Sequence, residues 1–429
     1  MSKLITWKLT FASMQWFIFI FANTVVVPIS IGIAFELPPG EIAGIVRSSL
    51  MFTGIAGILQ GLVGHRLPIM EGHTGVIWGL ILNLCVSANA MGLTLTDIGG
   101  GVATGMLLAG TVVIILAACN WLGFVNRIFT PMVMNVFLFL LTFQLTLIFF
   151  KGMIQLDSDG SMHIPISLFS IALMLLVVMI KVKGGPILGN YSILIGMILG
   201  WVLFILLFDA PAPIDAAPSL LHVPIFPIGM PNLHVGIIMV TFIASFVNIS
   251  TLIVSVQSVS RFRQEELPTR RRMNISYMLT GFYSMMASVL GLVPYAPFAS
   301  TIGFLESSRI ANRKPFLIGG ALMIVIGIVP QLSGLLATMP ITVGNAVLFA
   351  AYLQLLLTTL RGLSGYHFDS ITIHRLAVPV LLGVCIMNMD STVFSALPVF
   401  IQPLIGNGFI VGVLLSIAME RLIKWDTRV

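Results

Sequence analysis

Residues 67–79 read LPIMEGHTGVIWG. A carboxylate and an imidazole, Glu71 and His73, stand here on either side of a glycine, in a stretch that is otherwise largely apolar. Proline disfavours helix in the residue before it, and glycine lets a backbone approach a ligand closely. The stretch therefore predicts an extended lead-in followed by a short apolar helix, with polar groups placed where they need a cavity.

The composition of the whole chain is that of a membrane protein. Its 429 residues are 58% hydrophobic and 8% charged, and the mean hydropathy is +1.08. A soluble domain carries about 25% charged residues, so soluble fold classes are excluded. Several apolar runs reach the roughly 20 residues that cross a bilayer as a helix, and the alternation of a membrane β-barrel is absent. The sequence predicts an all-α polytopic membrane protein.

Fourteen candidate spans follow one another along the chain, some of them short or broken. Cytoplasmic loops carry an excess of Lys and Arg. With the N-terminus inside, only Arg47 and Lys151 of the 21 basic residues fall away from the cytoplasmic side. This predicts a multi-pass protein of the cytoplasmic membrane with both termini cytoplasmic. The spans begin near residues 10, 44, 70, 98, 130, 164, 187, 235, 273, 296, 315, 340, 376 and 394.

The net charge of +6 follows from the same loops and predicts no nucleic-acid partner. The most basic of these loops is RFRQEELPTRRR (261–272). It is most simply a cytoplasmic anchor, with membrane lipid as an additional partner.

The spans divide into two sets of seven, at residues 1–228 and 229–429. An odd number per half forces opposite orientations, which is the geometry of inverted repeats in secondary transporters. The third span of the second half would then be VPYAPFASTIGFLESSR (293–309), which again joins a proline-bearing lead-in to a short helix. Unwound backbone is tolerated in a membrane only where protein or a water-filled cavity receives it. Spans 3 and 10 are therefore predicted as broken half-helices whose N–H groups face a common ligand.

Three stretches resemble the nucleobase–ascorbate transporter family, which includes bacterial uracil and xanthine permeases. QWFIFIFANTVVVP (15–28) resembles the family's first span, although Trp16 replaces the usual histidine. STIGFLESSRIANR (300–313) is similar to the family signature and keeps its glycine and both arginines. MPITVGNAVLFAAYLQLLLTTLRGL (339–363) keeps the spacing of a tyrosine and an arginine after the proline.

This resemblance implies a core domain and a gate domain, with a nucleobase held between the two half-helices. The family's binding carboxylates stand on spans 8 and 10, and protons or other cations usually drive uptake. A homodimer through the gate domain is also implied. The core would comprise residues 1–125 (spans 1–4) and 229–337 (spans 8–11), and the gate residues 126–228 (spans 5–7) and 338–429 (spans 12–14).

The carboxylates that the resemblance leads us to expect are missing. On span 8 the acid is replaced by Val247, beside Asn248, and on span 10 by Ser300. Glu71 is the acid predicted near the cavity, and it is the proton-coupling candidate. A charge at the membrane centre costs about 2.5–3.5 kcal/mol on insertion scales, so Glu71 is expected to need a proton or a partner. Its alternative roles are an ion pair with a neighbour or a helix cap.

The candidate substrate-binding residues are polar groups and flexible backbone near the two half-helices. An amide offers both a donor and an acceptor, which suits the edge of an uncharged nucleobase. Each candidate also has a packing alternative: a small-residue stripe on span 8, N-caps on span 10, or a packed histidine or aromatic ring. The candidates are Glu71, His73, Thr74, Gly75, Asn248, Thr251, Ser300, Thr301 and Tyr352.

The leading interpretation is a proton-coupled permease for a purine or related nucleobase. The sequence contains no HExxH, GxSxG or P-loop motif and no metal-ligand spacing, so it predicts neither an enzyme nor a cofactor or metal. One alternative is an anion transporter of the sulfate-permease type, since two helix N-termini suit an anion. A receptor or sensor on a transporter scaffold is the other.

Glu306 precedes Arg309 by three residues and is predicted to form a structural ion pair.

Overall fold

The computed structural model of this protein describes most of the chain, and its fold is mostly helical (76%). Two predicted domain boundaries, at 125/126 and 337/338, involve residues outside the described set, as do both chain ends. The described residues are 2–121, 128–157, 160–208, 225–298, 300–329, 331–332, 335, 338–398, 400–423 and 425.

The first half of the chain forms eight longer helices and one short strand, within the part described. A break at Val25 separates the first two helices, and proline or a capping box stands in the first turn of several others. The elements are α1 (Ser2–Thr24), α2 (Val26–Ala34), α3 (Pro39–Leu62), β1 (Glu71–His73), α4 (Gly75–Ser87), α5 (Leu95–Ala118), α6 (Pro131–Met153), α7 (Ile164–Lys183) and α8 (Ser192–Leu207). Single turns lie at Asn89–Met91, Gly185–Leu188 and Gly189–Tyr191.

The second half repeats this order of elements. A break at Ile249 separates its first two helices, and a three-residue strand again precedes a short helix. The elements are α9 (Val235–Asn248), α10 (Ser250–Arg263), α11 (Arg270–Val289), β2 (Tyr295–Pro297), α12 (Ser300–Ser308), α13 (Arg313–Ile328), α14 (Ile341–Gly362), α15 (Ser370–Met387) and α16 (Gly408–Leu422). Single turns lie at Ser391–Phe394 and Gln402–Ile405.

Seven helical stretches of the described chain are long and apolar enough to cross a membrane. Three shorter apolar helices accompany them, at Gly75–Ser87, Ser192–Leu207 and Ile341–Leu353. Other helices are polar along a protein-facing side, as α11 is with its buried Ser276, Thr280 and Ser288. Such a helix gives a weak apolar signal because its polar groups meet protein instead of lipid. The count of fourteen spans stays a prediction.

The most extensive helix packing divides the described helices into two groups. In one group α3 packs on α13, α5 on α11, α1 on α13 and α9 on α5. In the other α6 packs on α14, α15 on α16, and α7 and α8 on α14. Glycines allow two of these contacts to be close: the Gly54 and Gly320 backbones meet between α3 and α13, and those of Gly110 and Gly281 between α5 and α11.

Strands β1 and β2 pair antiparallel across the interior, with Glu71 opposite Pro297 and His73 opposite Tyr295. Hydrogen bonds from Phe298 N to Met70 O and from Thr74 N to Pro294 O, each 2.9 Å, extend the ribbon at both ends. All six strand residues are buried. An extended backbone inside a membrane must find partners for its N–H and C=O groups. The two strands supply them to each other, and α4 and α12 begin where the ribbon ends.

Candidate functional site

A cavity of about 1200 Å³ lies beside the strand pair, at the starts of α4 and α12. Its wall includes residues of α1, α6, α10 and α14, so both groups of packed helices contribute to it. Six sequence-predicted site residues line it: His73, Thr74, Gly75, Asn248, Thr251 and Tyr352.

The first turn of α4 borders this cavity. Thr74 is the N-cap residue, but its side chain makes no capping hydrogen bond. Instead its hydroxyl donates to Oδ1 of Asn248 at 2.8 Å. The first N–H groups of a helix have no intrahelical acceptor, and Gly75 and Val76 both line the cavity. These N–H groups can therefore donate to a ligand.

Asn248 stands where α9 ends and α10 begins, and its side chain is 5% exposed. Because Oδ1 accepts the hydrogen bond from Thr74, the Nδ2 group of the amide is the donor left for a ligand. The hydroxyl of Thr251, in the next helix, donates to the backbone oxygen of Asn248 at 2.7 Å. The side-chain amide is thus held by Thr74, and its Nδ2 group is a neutral donor at a residue that lines the cavity.

Aromatic rings form another part of the wall, and sequence reasoning missed two of them, Phe19 and Phe304. Phe19 of α1 stacks on Phe304 of α12, with ring centroids 4.5 Å apart and an interplanar angle of 22°. The predicted Tyr352 of α14 also lines the cavity, and its ring packs against Phe149 at 5.2 Å between centroids. A planar heterocycle gains from such faces. In a chain with 29 phenylalanines, no sequence signal separates these rings from ordinary packing.

The side chain of His73 points away from the cavity, although the residue contributes to the wall. A Cβ on Gly72 would lie 2.7 Å from the Phe298 ring, which lines the cavity. Because neighbouring strand residues face opposite sides, the side chains of Glu71 and His73 share the other side. There Nε2 of His73 lies 2.7 Å from the hydroxyl of Ser49, and Nδ1 lies 3.1 Å from Val293 O. Both ring nitrogens are engaged with protein.

Glu71 and Thr301 do not line the cavity. Glu71 is 0% exposed, and its Oε1 lies 3.6 Å from Nε2 of His65, a residue that sequence reasoning missed. Thr301 is 1% exposed, and its hydroxyl oxygen accepts a hydrogen bond from Met70 N at 3.4 Å. The side chain of Ser300 is outside the described part. His65 could have been suspected as a histidine six positions before Glu71, but nothing in that spacing indicates contact.

The cavity wall also carries charged side chains. They are Lys181, Arg261, Glu306 and Arg361. Glu306 forms the predicted ion pair, but its partner is Arg361 of α14, at 3.3 Å, and not Arg309. Among the described residues no group of three or more His, Cys, Asp or Glu could hold a metal ion.

Comparison with known proteins identifies the family of this chain. Residues 7–392 match the family model Xan_ur_permease, described as Permease family. YwdJ of Bacillus subtilis (strain 168), a candidate purine permease, is 28% identical over 438 residues, covering 98% of this chain and 97% of its own. The nucleobase transporter PlUacP of Paenibacillus larvae subsp. larvae (strain NRRL B-3650 / LMG 16245) is 24% identical over 416 residues, covering 94% and 91%.

The fold is also that of a solved transporter domain. The transmembrane domain of a cyanobacterium bicarbonate transporter, BicA, superposes with a TM-score of 0.63 at 13% sequence identity. The match covers 90% of this chain and 97% of that chain. At this identity the likeness concerns the fold alone.

Proposed function

The chain belongs to the Permease family, and from this premise we propose that it carries a purine or related nucleobase across the cytoplasmic membrane. It is a multi-pass membrane protein and a permease, and its homologues are not enzymes. YwdJ and PlUacP are named for purine and nucleobase transport. The proposal brings that substrate class to this chain.

The arrangement of Thr74 and Asn248 at the start of α4 carries the proposal. Asn248, Gly75 and Val76 line one cavity, and Nδ2 of Asn248 and the N–H groups of Gly75 and Val76 are its proposed neutral donors. They match the carbonyl and ring-nitrogen acceptors of a purine, and the stacked rings of Phe19 and Phe304 suit its faces. Thr251 and Tyr352 border the same space, whereas His73, Ser300 and Thr301 are proposed to shape the two helix starts.

Transport would proceed by alternating access. The two groups of packed helices support the division into a core domain (1–125 and 229–337) and a gate domain (126–228 and 338–429). The cavity lies between them, so movement of one past the other would carry the substrate across. The cavity reaches Lys181 and Arg261, which the charge pattern assigns to the cytoplasmic side. This supports an inward-facing state with both termini cytoplasmic.

The other parts of the proposal concern coupling and assembly. Uptake would be driven by protons, with Glu71 as the coupling carboxylate, since spans 8 and 10 lack the family's acids. The proposed gate has exposed apolar residues, such as Leu381 at 62%. We propose that this surface contacts membrane lipid or the second copy of a homodimer.

Transport of an anion is the alternative. Helix starts attract anions, and Arg261 and Arg361 border the cavity. The family membership and the neutral amide of Asn248 favour the nucleobase.

Thermal unfolding of the purified protein distinguishes the two. We expect guanine, hypoxanthine, xanthine or adenine to raise the unfolding midpoint, and bicarbonate and sulfate to leave it unchanged. Uptake of the radiolabelled purine into proteoliposomes would then test transport itself. Stabilisation by anions alone would contradict the nucleobase proposal.

A further inference from the structure

A pair of ionisable side chains is buried on the far side of β1 from the cavity. Glu71 and His65 are both 0% exposed, and their nearest polar atoms, Oε1 and Nε2, are 3.6 Å apart. Neither carboxylate oxygen hydrogen-bonds to any described residue, and nor does Nε2 of His65. Buried polar groups are normally hydrogen-bonded, and ionisable groups inside a membrane are costly and usually functional. The pair therefore calls for a role other than stability.

The backbone decides which nitrogen of His65 carries a proton. The N–H of Leu67 donates to Nδ1 at 3.0 Å, so Nδ1 is an acceptor. The neutral ring then holds its proton on Nε2, the nitrogen that faces Glu71. An N–H dipole on this side of the ring stabilises an ionised carboxylate more than the protonated acid, because its interaction with a full negative charge is the stronger one. The pair is thus asymmetric: one group keeps its proton, and the other can gain or lose one.

We propose that Glu71 and His65 form the proton-binding pair of this permease, separated from the substrate by β1. The Glu71 carboxylate would take one proton from water on one side of the membrane, become a carboxylic acid, and release that proton on the other side. His65 is a positioning residue that keeps its own proton on Nε2. The inference rests on the proposed function and locates its coupling site. Protonation of Glu71 would affect the cavity through β1, without contact between the carboxylate and the purine.

Other titratable groups around the strand pair have partners of their own. Tyr283 of α11 interacts electrostatically with Glu71, and its hydroxyl donates to Ala56 O at 3.1 Å. The hydroxyl of Tyr295, on β2, lies 2.9 Å from Thr53 Oγ1 and donates to Ser49 O at 3.2 Å.

The charged groups of the adjoining helices lie farther along their axes. Arg47 of α3 is about 13 Å along the helix from Ala56, at 1.5 Å per residue. The lysines of α1 are in its first two turns, and the arginines of α10 and α11 stand at the helix ends that meet at 264–269. Within the described structure, His65 is the one group that forms an ion-pair contact with Glu71.

The pair is close in sequence to the protein surface, because the residue after His65 is exposed. Arg66 follows His65 in the chain and lines an open surface pocket together with Arg263 and Arg313. The charge pattern assigns this surface to the cytoplasm. The pair therefore lies between the substrate cavity and the cytoplasmic face, where a bound proton can be released inward.

Replacement of Glu71 by Gln removes the proposed proton carrier with little change in size. The test uses proteoliposomes with an imposed pH gradient and no sodium, and the purine that stabilises the wild type most. We expect E71Q to accumulate at least tenfold less of this purine than the wild type does. Purine binding by thermal shift should stay within about twofold, and exchange of internal for external purine should continue. Exposed Glu41 supplies the matched control, and E41Q should accumulate purine as the wild type does.

Two changes at His65 test the positioning role. H65A removes the N–H that faces the carboxylate, so the acid should hold its proton to higher pH and the pH of half-maximal uptake should move upward. H65Q restores an N–H near that position, and its pH profile should return toward that of the wild type. H367Q, at an exposed histidine, should leave the profile unchanged.

The outcomes separate the two proposals. A folded E71Q protein that accumulates purine with the wild-type pH dependence overturns the inference, and so does wild-type uptake that ignores the pH gradient. Absence of purine binding in the wild type would instead refute the proposed function. If E71Q fails to fold, identical pH profiles for H65A, H65Q and the wild type would still overturn the pair.

Discussion

The amide of Asn248 has two ends with different tasks. Its oxygen accepts the hydroxyl of Thr74 at 2.8 Å, which ties the break between α9 and α10 to the start of α4. Its nitrogen is the donor left for the cavity. One neutral side chain thus joins the break between α9 and α10 to the start of α4 and, in the proposed function, donates to the substrate.

Asn248→Asp keeps the acceptor for Thr74 and removes the donor. We expect purine binding to weaken by about 1–2 kcal/mol, or about 5- to 30-fold, because a carboxylate would face the acceptor atoms of the base. Isothermal titration of the purified protein measures this. Thr74→Val should weaken purine binding because it releases the side chain of Asn248. The double variant T74V/N248A should therefore weaken binding little more than N248A alone. Unchanged affinity in N248D would contradict the donor role.

His73 is predicted to matter for folding more than for binding. His73→Ala removes the ring from Ser49 and from Val293 O, which should cost about 2–4 kcal/mol through two lost hydrogen bonds and a buried cavity. The thermal unfolding midpoint in detergent measures the loss, and H367A, at an exposed position, is the control. A normal midpoint combined with lost binding would show instead that the ring contacts the purine.

Single residues show where sequence reasoning reached its limit. The predicted extended segment with an acid and a histidine is present, and six predicted site residues line one cavity. The side to which Glu71 points could not be predicted, because it depends on the register of β1 with a strand more than two hundred residues away. His65 was missed for the same reason, since it meets Glu71 through a loop and not through helical spacing.

At the scale of elements, the strand ribbon explains how two interrupted segments persist inside the protein. Proline and glycine in the sequence predict both interruptions, because they mark where helix is disfavoured. The pairing of the interruptions needs the tertiary fold: β1 and β2 each satisfy the other's backbone groups. Helix faces were predicted less well, as the pairing of Glu306 with Arg361 across two helices shows.

Close helix contacts at glycine are predicted to be sensitive to a single methyl group. A Cβ on Gly54 would overlap the carbonyl oxygen of Gly320, and one on Gly281 would lie 2.7 Å from that of Gly110. Backbone cannot move aside as a side chain can, so G54A and G281A should each destabilise the protein by about 1–3 kcal/mol. Unfolding midpoints test this. G40A is the matched control, since nothing lies within 4 Å of its added Cβ. An unfolding midpoint of G40A as low as that of G54A would contradict the packing argument.

Helices α15 and α16 are joined by a partly buried ion pair. Nε and Nη2 of Arg375 each donate to Glu420 at 2.7 Å, and the two side chains are 13% and 7% exposed. Glu420→Gln should destabilise by about 2–3 kcal/mol because it leaves a buried charge uncompensated. E265Q breaks the more exposed pair with Arg263 and should cost under about 0.5 kcal/mol. Equal thermal unfolding midpoints for E420Q and E265Q would contradict the expected difference in stability.

At the scale of the whole molecule, the packing of one half is repeated in the other. If α1–α2 and α9–α10 each count as one span, the contact of α3 with α13 has its counterpart in α11 with α5. Likewise α1 with α13 corresponds to α9 with α5, and α7 with α8 to α15 with α16. The two glycine contacts, Gly54 with Gly320 and Gly281 with Gly110, fall on corresponding helices. This correspondence supports the inverted repeat that the division into two sets of seven spans predicts.

Such a repeat places one substrate site at the meeting point of the two halves. Electron cryomicroscopy of the protein with a saturating purine tests this most directly. We predict planar density in the cavity between the first turns of α4 and α12, within hydrogen-bonding distance of Nδ2 of Asn248, and none beside Glu71 behind β1. Purine density outside this cavity, or in contact with the Glu71 carboxylate, would contradict the proposed site.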